Sequence, residues 1–225
     1  MRNTNALHNS NMKISRYGIS LERIKQEHCE MLRLWRNDPK ISRNMFHHGI
    51  ITAEMQTEWF SNVNNYQNFF FLIQYHSKQV GLINMSSIDW NEHTAFSGLF
   101  IYDDNYLGTD VPVRASLTVL DVFFLLGGIK KVFAKIREDN LVAHRYNTQL
   151  GFVKQRKIEL GQGFEYELKQ SDYFSATEKL RKLAAKEQNK TVIEFENSDL
   201  DIELKNMLLT NVSEVAKEKL QLEVE

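Results

Sequence analysis

The chain has 225 residues, 42% of them hydrophobic and 11% aromatic, and a formal net charge of -1 at pH 7. That length suits one domain with an appendage. The near-neutral charge argues against nucleic acid or anionic membrane as a partner, because both favour a basic excess. The single cysteine, Cys29, excludes an intramolecular disulfide and fits a cytoplasmic location, and no apolar run reaches the roughly 18 residues of a membrane span.

The hydrophobic periodicity predicts one folded domain over residues 13–174, preceded by a polar, asparagine-rich stretch, 1–12, that we expect to be a flexible tail. The predicted elements in chain order are a strand at 13–20, a helix at 27–36, a helix capped by Thr52, strands at 68–75, 79–88 and 94–102, a helix at 112–126, a strand at 131–137, a helix at 141–150 and a hairpin at 152–160 and 164–169. This order predicts an α/β fold with a mixed, mostly antiparallel central sheet flanked by helices.

The composition changes after residue 174. Residues 175–225 contain one aromatic residue, Phe195, and neither glycine nor proline. Two stretches, 176–187 and 204–222, predict charged amphipathic helices, and the β-prone stretch 191–195 between them can add to a sheet edge. We therefore expect a helical C-terminal extension outside the catalytic core that packs on a second copy in a homodimer. Docking on the parent domain and binding of a partner protein are the alternatives.

The segment between the third strand of the predicted meander and the next helix indicates an anion site. Its candidate ligand-binding residues are Ile101, Tyr102, Asn105, Tyr106, Leu107, Gly108, Thr109 and Asp110. Backbone N–H groups of such a loop and of the first helical turn attract a phosphate, and glycine allows its close approach. Asp110 would repel a phosphate unless it points away or caps the helix, so we expect weakened or altered binding. An ordinary turn is the alternative interpretation.

A second constellation follows the strand at 131–137 and consists of Asn140, Ala143, Tyr146, Gly151 and Phe152. Asn140 can cap the helix that follows it. The hydroxyl of Tyr146 can protonate a leaving thiolate. Alternatively, Tyr146 is buried and satisfies its hydroxyl with the backbone.

Together these residues resemble the GNAT acetyltransferase superfamily. In that family the motif Gln/Arg-x-x-Gly-x-Gly/Ala binds the pyrophosphate of coenzyme A, and a later motif reads Asn-x-x-Ala-x-x-x-Tyr-x-x-x-Gly-Phe with variable spacing. Gly108 matches the first motif, from which Asn105 and Asp110 depart. The resemblance covers about residues 13–174. It implies a GNAT acyl-CoA acyltransferase fold, acetyl-CoA as co-substrate, no metal, Asn140 and Ala143 at the donor, and Tyr146 as general acid.

The run from Leu32 to Pro39 resembles two groups within that superfamily: ribosomal-protein alanine acetyltransferases and, more closely, amino-sugar acetyltransferases of the pseudaminic acid type. The second resemblance implies a nucleotide-linked 4-amino-6-deoxy sugar as acceptor. The candidate acceptor-binding residues are Trp35, Arg36, Asn37, Phe46, His47 and His48. Core packing of Trp35 and a solvated histidine loop are the alternatives, and adjacent histidines rarely face one metal ion.

The implied chemistry is direct attack of an amine on the thioester, with a backbone N–H at the end of strand 94–102 polarising the carbonyl. We place the general base in the loop 89–93, at Asp89 or Glu92; His48, His93 and Asp103 are other candidates by type. Two rival functions stay open at this point. One is a protein N-terminal acetyltransferase, and the other is a GNAT-like binding module with a degenerate donor site.

Overall fold

The computed structural model describes residues 12–47, 49–158, 162–195, 204–206, 208–209 and 212–225. The strands are β1 (Met12–Arg16), β2 (Ile19–Arg23), β3 (Phe69–Tyr75), β4 (Lys78–Asp89), β5 (Thr94–Ile101), β6 (Lys131–Arg137), β7 (Val153–Lys157), β8 (Gly163–Lys169), β9 (Thr191–Phe195) and β10 (Leu222–Val224). The helices are α1 (Cys29–Asn37), α2 (Pro39–Ser42), α3 (Ala53–Val63), α4 (Val111–Leu125), α5 (Leu141–Gln149), α6 (Gln170–Ala176), α7 (Glu178–Ala184) and α8 (Glu214–Leu220). Residues 204–206 and 208–209 are also helical.

These strands form one sheet in the order β10-β9-β1-β2-β3-β4-β5-β6-β8-β7. The pairs β5–β6 and β9–β10 are parallel, and the other neighbours are antiparallel. The predicted α/β fold with a mixed, mostly antiparallel sheet is therefore confirmed.

The strand predicted at 13–20 is two strands, β1 and β2. Tyr17 and Gly18 lie between them at φ values of 55° and 70°. These values turn the chain tightly, and Arg16 pairs with Ile19 across the turn. The alternation of buried and half-buried residues continues through both strands, so the sequence pattern conceals the turn.

The sheet has a helical layer on each face. Helix α4 is buried almost throughout, from Val111 to Phe124, because the sheet covers one side of it and the C-terminal segment covers another. A helix that is apolar on all sides requires such cover. On the opposite face, α1 and α3 pack Leu32, Trp35 and Phe60 against the sheet in a smaller core.

The C-terminal extension belongs to the same sheet and core. Strand β9 adds to the sheet beside β1, as predicted for this stretch, and β10 pairs with β9 and forms the edge. The extension also contributes buried apolar side chains to the main core: Ile193, Leu204, Leu208 and Leu220. The expectation that it lies outside the core is therefore corrected, and it packs on the parent domain. The helix expected over 204–222 is not continuous, since residues 212 and 213 are not helical and Ser213 caps α8. It ends at Leu220, because Gln221 adopts a left-handed conformation before β10.

A buried ion pair holds the extension in place. Arg16 is 4% exposed, and its Nε lies 3.3 Å from Oδ2 of Asp121 on α4. Its Nη1 donates to the carbonyl oxygen of Leu220 at 2.8 Å and to Thr191 Oγ1. Tyr173 donates its hydroxyl to Asp121 Oδ1 at 2.7 Å. Buried charges require such partners, so the first strand, α4, α6 and the extension depend on one another.

Candidate active site

A cleft opens between β5 and β6. Their parallel pairing covers only Thr94–Phe96 and Lys131–Phe133. Beyond those residues β5 stays paired with β4 and β6 stays paired with β8, so the two strands separate. Phe96 and Phe133 mark the apex of the cleft. The backbone of residues 97–101 on its β6 side is therefore available to hydrogen-bond a ligand.

The loop after β5 begins with a tight turn of 3-10 helix at Asp104–Tyr106. Asp103 Oδ1 accepts hydrogen bonds from the Asn105 backbone N–H at 3.1 Å and from Asn105 Nδ2 at 2.8 Å. The Asn105 side chain thus stabilises its own loop. Tyr106 packs its ring edge-on against Tyr75 of β3 at 5.6 Å, while Ile101 is buried and Leu107 is 57% exposed.

The second half of this loop, at the start of α4, forms a site that an anion can enter. Gly108 has a φ of +76°, and a Cβ added there would meet no atom within 4 Å. Thr109 Oγ1 donates to the Tyr106 carbonyl at 2.8 Å and accepts from the Val111 N–H at 3.3 Å. In the described part of the chain, the N–H groups of Gly108 and Val113 have no hydrogen-bond partner. Free N–H groups at a helix start are the groups that bind phosphate.

Asp110 does not obstruct this site. Its carboxylate makes no capping hydrogen bond to the helix, and instead accepts one from Arg114 Nε at 2.8 Å. The charge that sequence analysis identified as repulsive is therefore paired with a guanidinium one turn along α4. The N–H of Val113 in the first turn of α4 remains free.

Tyr146 is hydrogen-bonded to the start of α4. Its hydroxyl donates to the Pro112 carbonyl at 2.8 Å and lies 2.7 Å from Ser116 Oγ. Burial raises its pKa well above the ordinary value, so the proton stays on the oxygen. These contacts favour a structural role for Tyr146, the anchoring of α5 to α4, over the expected role of general acid.

The spacing of the later motif also favours the structural role. The motif places its tyrosine seven residues after the asparagine, and in this chain Asn147 stands there, one residue after Tyr146. One residue corresponds to a rotation of about 100° around a helix. Asn140 is the cap of α5, since its Oδ1 accepts from the Ala143 N–H at 3.0 Å.

Three of the expected acceptor residues have structural roles. Trp35 is 7% exposed and stacks on Tyr102 at 4.7 Å. Arg36 donates from Nη1 to Gln56 Oε1 at 2.9 Å. Asn37 makes two hydrogen bonds of 2.8 Å with the backbone of Ile51, which fixes the loop before α3. These contacts give the three residues structural roles, and the expectation that Trp35, Arg36 and Asn37 bind the acceptor stays a prediction.

The connection from α2 to α3 lies across the open end of the cleft. Lys40 Nζ lies 3.3 Å from Asp104 Oδ1 and 4.1 Å from the centre of the Tyr102 ring, after the end of β5. Further along, Phe46 packs against Gly163, which pairs with the last residue of β6. His47 is exposed on this connection. His48, another expected acceptor residue, lies outside the described residues.

The structure does not bring Asp89 and Glu92 to the cleft. Asp89 pairs with Thr94, so the turn that holds both carboxylates lies behind the apex, on the closed side. Asp89 Oδ1 accepts from the Glu92 N–H at 3.0 Å and thereby shapes this turn. A cavity of about 650 Å³ borders Asp89 and Trp90 at this same end of the sheet. The assignment of the general base to Asp89 or Glu92 stays a prediction, and this position does not favour it.

A group of side chains at the apex was not predicted from the sequence. Val132 and Ala134 are buried in the core beneath α4, so the alternation of β6 directs Phe133 and Lys135 to the other face. Phe133 and Phe96 lie 5.5 Å apart, and Lys135 Nζ lies 5.1 Å from the Phe96 ring centre. Glu165 of β8 pairs with Lys135. The alternation of polar and apolar residues in 131–137 was the available signal.

Within the part of the chain that the structure describes, no three His, Cys, Asp or Glu side chains are grouped to hold a metal ion. No helix among those residues is long and apolar enough to cross a membrane.

Comparisons with known proteins agree with this architecture. Among solved structures that share the fold is spermidine N-acetyltransferase from Vibrio cholerae in complex with CoA and spermine, with 15% identity, a TM-score of 0.61 and coverage of 70% of this chain and 98% of that chain. The microcin C7 self-immunity acetyltransferase MccE in complex with acetyl-CoA and AMP has 20% identity, a TM-score of 0.57 and coverage of 68% of this chain and 92% of that chain. The ribosomal L7/L12 alpha-N-protein acetyltransferase RimL has 13% identity, a TM-score of 0.57 and coverage of 68% of this chain and 90% of that chain. No curated protein sequence matches.

The family model for the acetyltransferase (GNAT) domain matches residues 19–153. That span contains the cleft, the loop with Gly108, α4 and the capped helix α5. The chain therefore belongs to the GNAT acetyltransferase family and is an acyl-CoA-dependent N-acetyltransferase.

Proposed function

We propose that this enzyme acetylates the amine of a nucleotide-linked amino sugar. The observation that carries the acceptor class is the group at the cleft apex, Phe96, Phe133 and Lys135. Two half-exposed rings offer apolar faces on which a sugar or base can stack, and an exposed ammonium beside them suits a phosphate. A cytoplasmic location is part of this proposal.

The donor half of the proposal uses the loop before α4. The diphosphate of acetyl-CoA binds the free N–H groups of Gly108 and Val113 and the positive end of the α4 dipole. From there the pantetheine arm enters the cleft between β5 and β6. The thioester carbonyl then accepts a hydrogen bond from the unpaired backbone of residues 97–101, as oxyanions do in other acyl transfers.

The reaction is an aminolysis. The neutral amine attacks the thioester carbonyl carbon, a C–N bond forms, and the C–S bond breaks with its electron pair on sulfur. The proton lost by the nitrogen passes to solvent or to a nearby base. CoA leaves as the thiolate or, once the sulfur has taken up a proton, as the thiol. We assign neither proton transfer to Tyr146, because its hydroxyl is engaged by the Pro112 carbonyl.

One similar structure supports a nucleotide-bearing acceptor, since MccE was solved with AMP beside acetyl-CoA. A second candidate acceptor is a peptide N-terminus. It is favoured by Glu165 and Glu167, which lie opposite Lys135 and Phe133 in the register of β8 with β6. Carboxylates near the apex would attract an N-terminal ammonium group, although these two also form ion pairs with Arg156 and Lys169. The similarity to RimL points in the same direction.

An assay of thiol release from acetyl-CoA distinguishes these acceptors. The panel contains nucleotide-linked 4-amino sugars, peptides with N-terminal alanine or serine, and spermidine. We expect turnover with the nucleotide sugars at low concentration. Turnover with peptides or spermidine alone would contradict the proposed acceptor class. Failure to bind acetyl-CoA by calorimetry would contradict the donor site.

Lys135→Met tests the apex directly. We expect the KM for the nucleotide sugar to rise at least about tenfold, because a phosphate contact is lost, while the KM for acetyl-CoA stays unchanged. Lys131→Met is the matched control. Lys131 is exposed on the same face of β6 but lies on the closed side of the apex, so its loss should leave both KM values unchanged. If the two substitutions changed the KM for the nucleotide sugar equally, Lys135 would not be part of the acceptor site.

A further inference from the structure

Arg114 connects the loop before α4 to three other parts of the molecule. It is only 8% exposed, although its charge is permanent. Besides Asp110, its guanidinium lies 3.8 Å from the Glu187 carboxylate in the C-terminal extension and 3.5 Å from the Tyr17 carbonyl. Its Cζ is also 5.9 Å from the centre of the Tyr75 ring, which packs against Tyr106 of the loop.

Asp110 places a negative charge near the proposed diphosphate site, and the Arg114 guanidinium pairs with that charge. Asp110 is the residue immediately before α4, and its side chain is 57% exposed at the end of the helix where the donor diphosphate is proposed to bind. A carboxylate there opposes the helix dipole and repels a diphosphate. The bond from Arg114 Nε to Asp110 Oδ2 pairs that charge within one helical turn.

We propose that Arg114 is a positioning residue of the donor site. It binds the Asp110 carboxylate, keeps it away from the free N–H groups of Gly108 and Val113, and cancels its charge, so that the diphosphate of acetyl-CoA can bind. Glu187 and the Tyr17 carbonyl hold the guanidinium in this orientation. The inference rests on the donor half of the proposed function and is independent of the identity of the acceptor.

A purely structural role of Arg114 would lead to a different experimental result. If Arg114 served only to fill and pair a buried site, its loss would lower stability, and removal of the Asp110 charge would not restore ligand binding. If it acts by neutralising Asp110, the need for it disappears once that charge is gone. The two roles are therefore separated by the pair Arg114→Gln and Asp110→Asn, alone and together.

The experiment measures the Kd of acetyl-CoA by calorimetry on full-length variants that are shown to be folded by circular dichroism. We expect Arg114→Gln to raise the Kd at least about tenfold. We expect Asp110→Asn to leave it unchanged or lower it, and the double variant to return it to within about threefold of the unaltered protein. Lys182→Gln is the matched control, since Lys182 forms a pair of the same spacing with Glu178 on exposed α7.

Several results would overturn the inference. A Kd for Arg114→Gln within twofold of the unaltered protein would do so, as would a raised Kd that Asp110→Asn does not lower. Should Arg114→Gln fail to fold, Arg114→Lys with and without Asp110→Asn gives the same comparison, with an expected rise of about threefold that the second change removes. No acetyl-CoA binding by the unaltered protein would overturn both the donor site and this inference. Normal binding without sugar acetylation would overturn only the proposed acceptor.

Discussion

Removal of the C-terminal extension, by a stop codon after Phe174, should abolish the folded state. The extension supplies two strands of the sheet and the carbonyl and hydroxyl groups that receive the Arg16 guanidinium. Without it, β1 becomes an exposed edge and the ion pair with Asp121 opens to water.

The size of the loss follows from four side chains that are at most 1% exposed: Ile193, Leu204, Leu208 and Leu220. Burial of one such side chain contributes about 1.5–3 kcal/mol, so the four contribute about 6–12 kcal/mol. Whole domains are stable by only about 5–15 kcal/mol. The truncated chain is therefore expected to lack a cooperative unfolding transition at 25 °C.

The assay is urea unfolding followed by circular dichroism, together with acetyl-CoA calorimetry. A milder pair of variants in the full chain tests the same reasoning on α8. Leu220→Ala should lower the free energy of unfolding by about 2–5 kcal/mol. Val215→Ala, at a position 59% exposed on the same helix, should change it by less than about 0.5 kcal/mol. A truncated protein that unfolds cooperatively, within about 2 kcal/mol of the full chain, would refute the reasoning.

Three further predictions concern single positions. Gly108→Val should raise the Kd of acetyl-CoA at least about tenfold, whereas Gly49→Val, at another glycine with positive φ and open surroundings, should leave that Kd unchanged. Tyr146→Phe should lower the free energy of unfolding by about 1 kcal/mol and change turnover by less than about threefold. A loss of turnover of about tenfold with normal acetyl-CoA binding would instead support Tyr146 as the general acid. Burial lowers the pKa of His28, and its Nδ1 accepts a hydrogen bond from the Lys25 N–H. The folded state therefore binds a proton at His28 less readily than the unfolded state does. Stability should therefore fall as the pH drops below about 6.5, and less steeply in His28→Asn; equal slopes in urea unfolding would contradict this.

Features set by neighbouring residues were predictable from the sequence. Asn140 caps α5 through a contact only three residues long, and the loop from Asp103 to Asp110 folds mostly on itself. The strands from β3 to β5 are joined by short turns, which their patterns reveal. Such local chemistry needs no knowledge of the tertiary structure.

Features set by distant partners were not predictable in the same way. The helix pattern around Arg36 and Asn37 gives no sign that they bind Gln56 and Ile51, 20 and 14 residues away. The partners of Arg16 lie up to 204 positions away, at Leu220, so the extension resembled a separate appendage. The neutralisation of Asp110 by Arg114 spans only four residues, but that pair also fits an ordinary exposed ion pair.

The pairing of β1 with β9 has a consequence for synthesis of the chain. Met12 is made long before Phe195, yet they are neighbours in the sheet. At about 5–20 residues per second, the ribosome leaves β1 without its partner for roughly 10–40 s. During that interval an unpaired strand edge is exposed to other chains. We expect the nascent protein to need chaperone protection until β9 has been made. We also expect refolding to be slow for the size of the domain, because this contact is so distant in sequence.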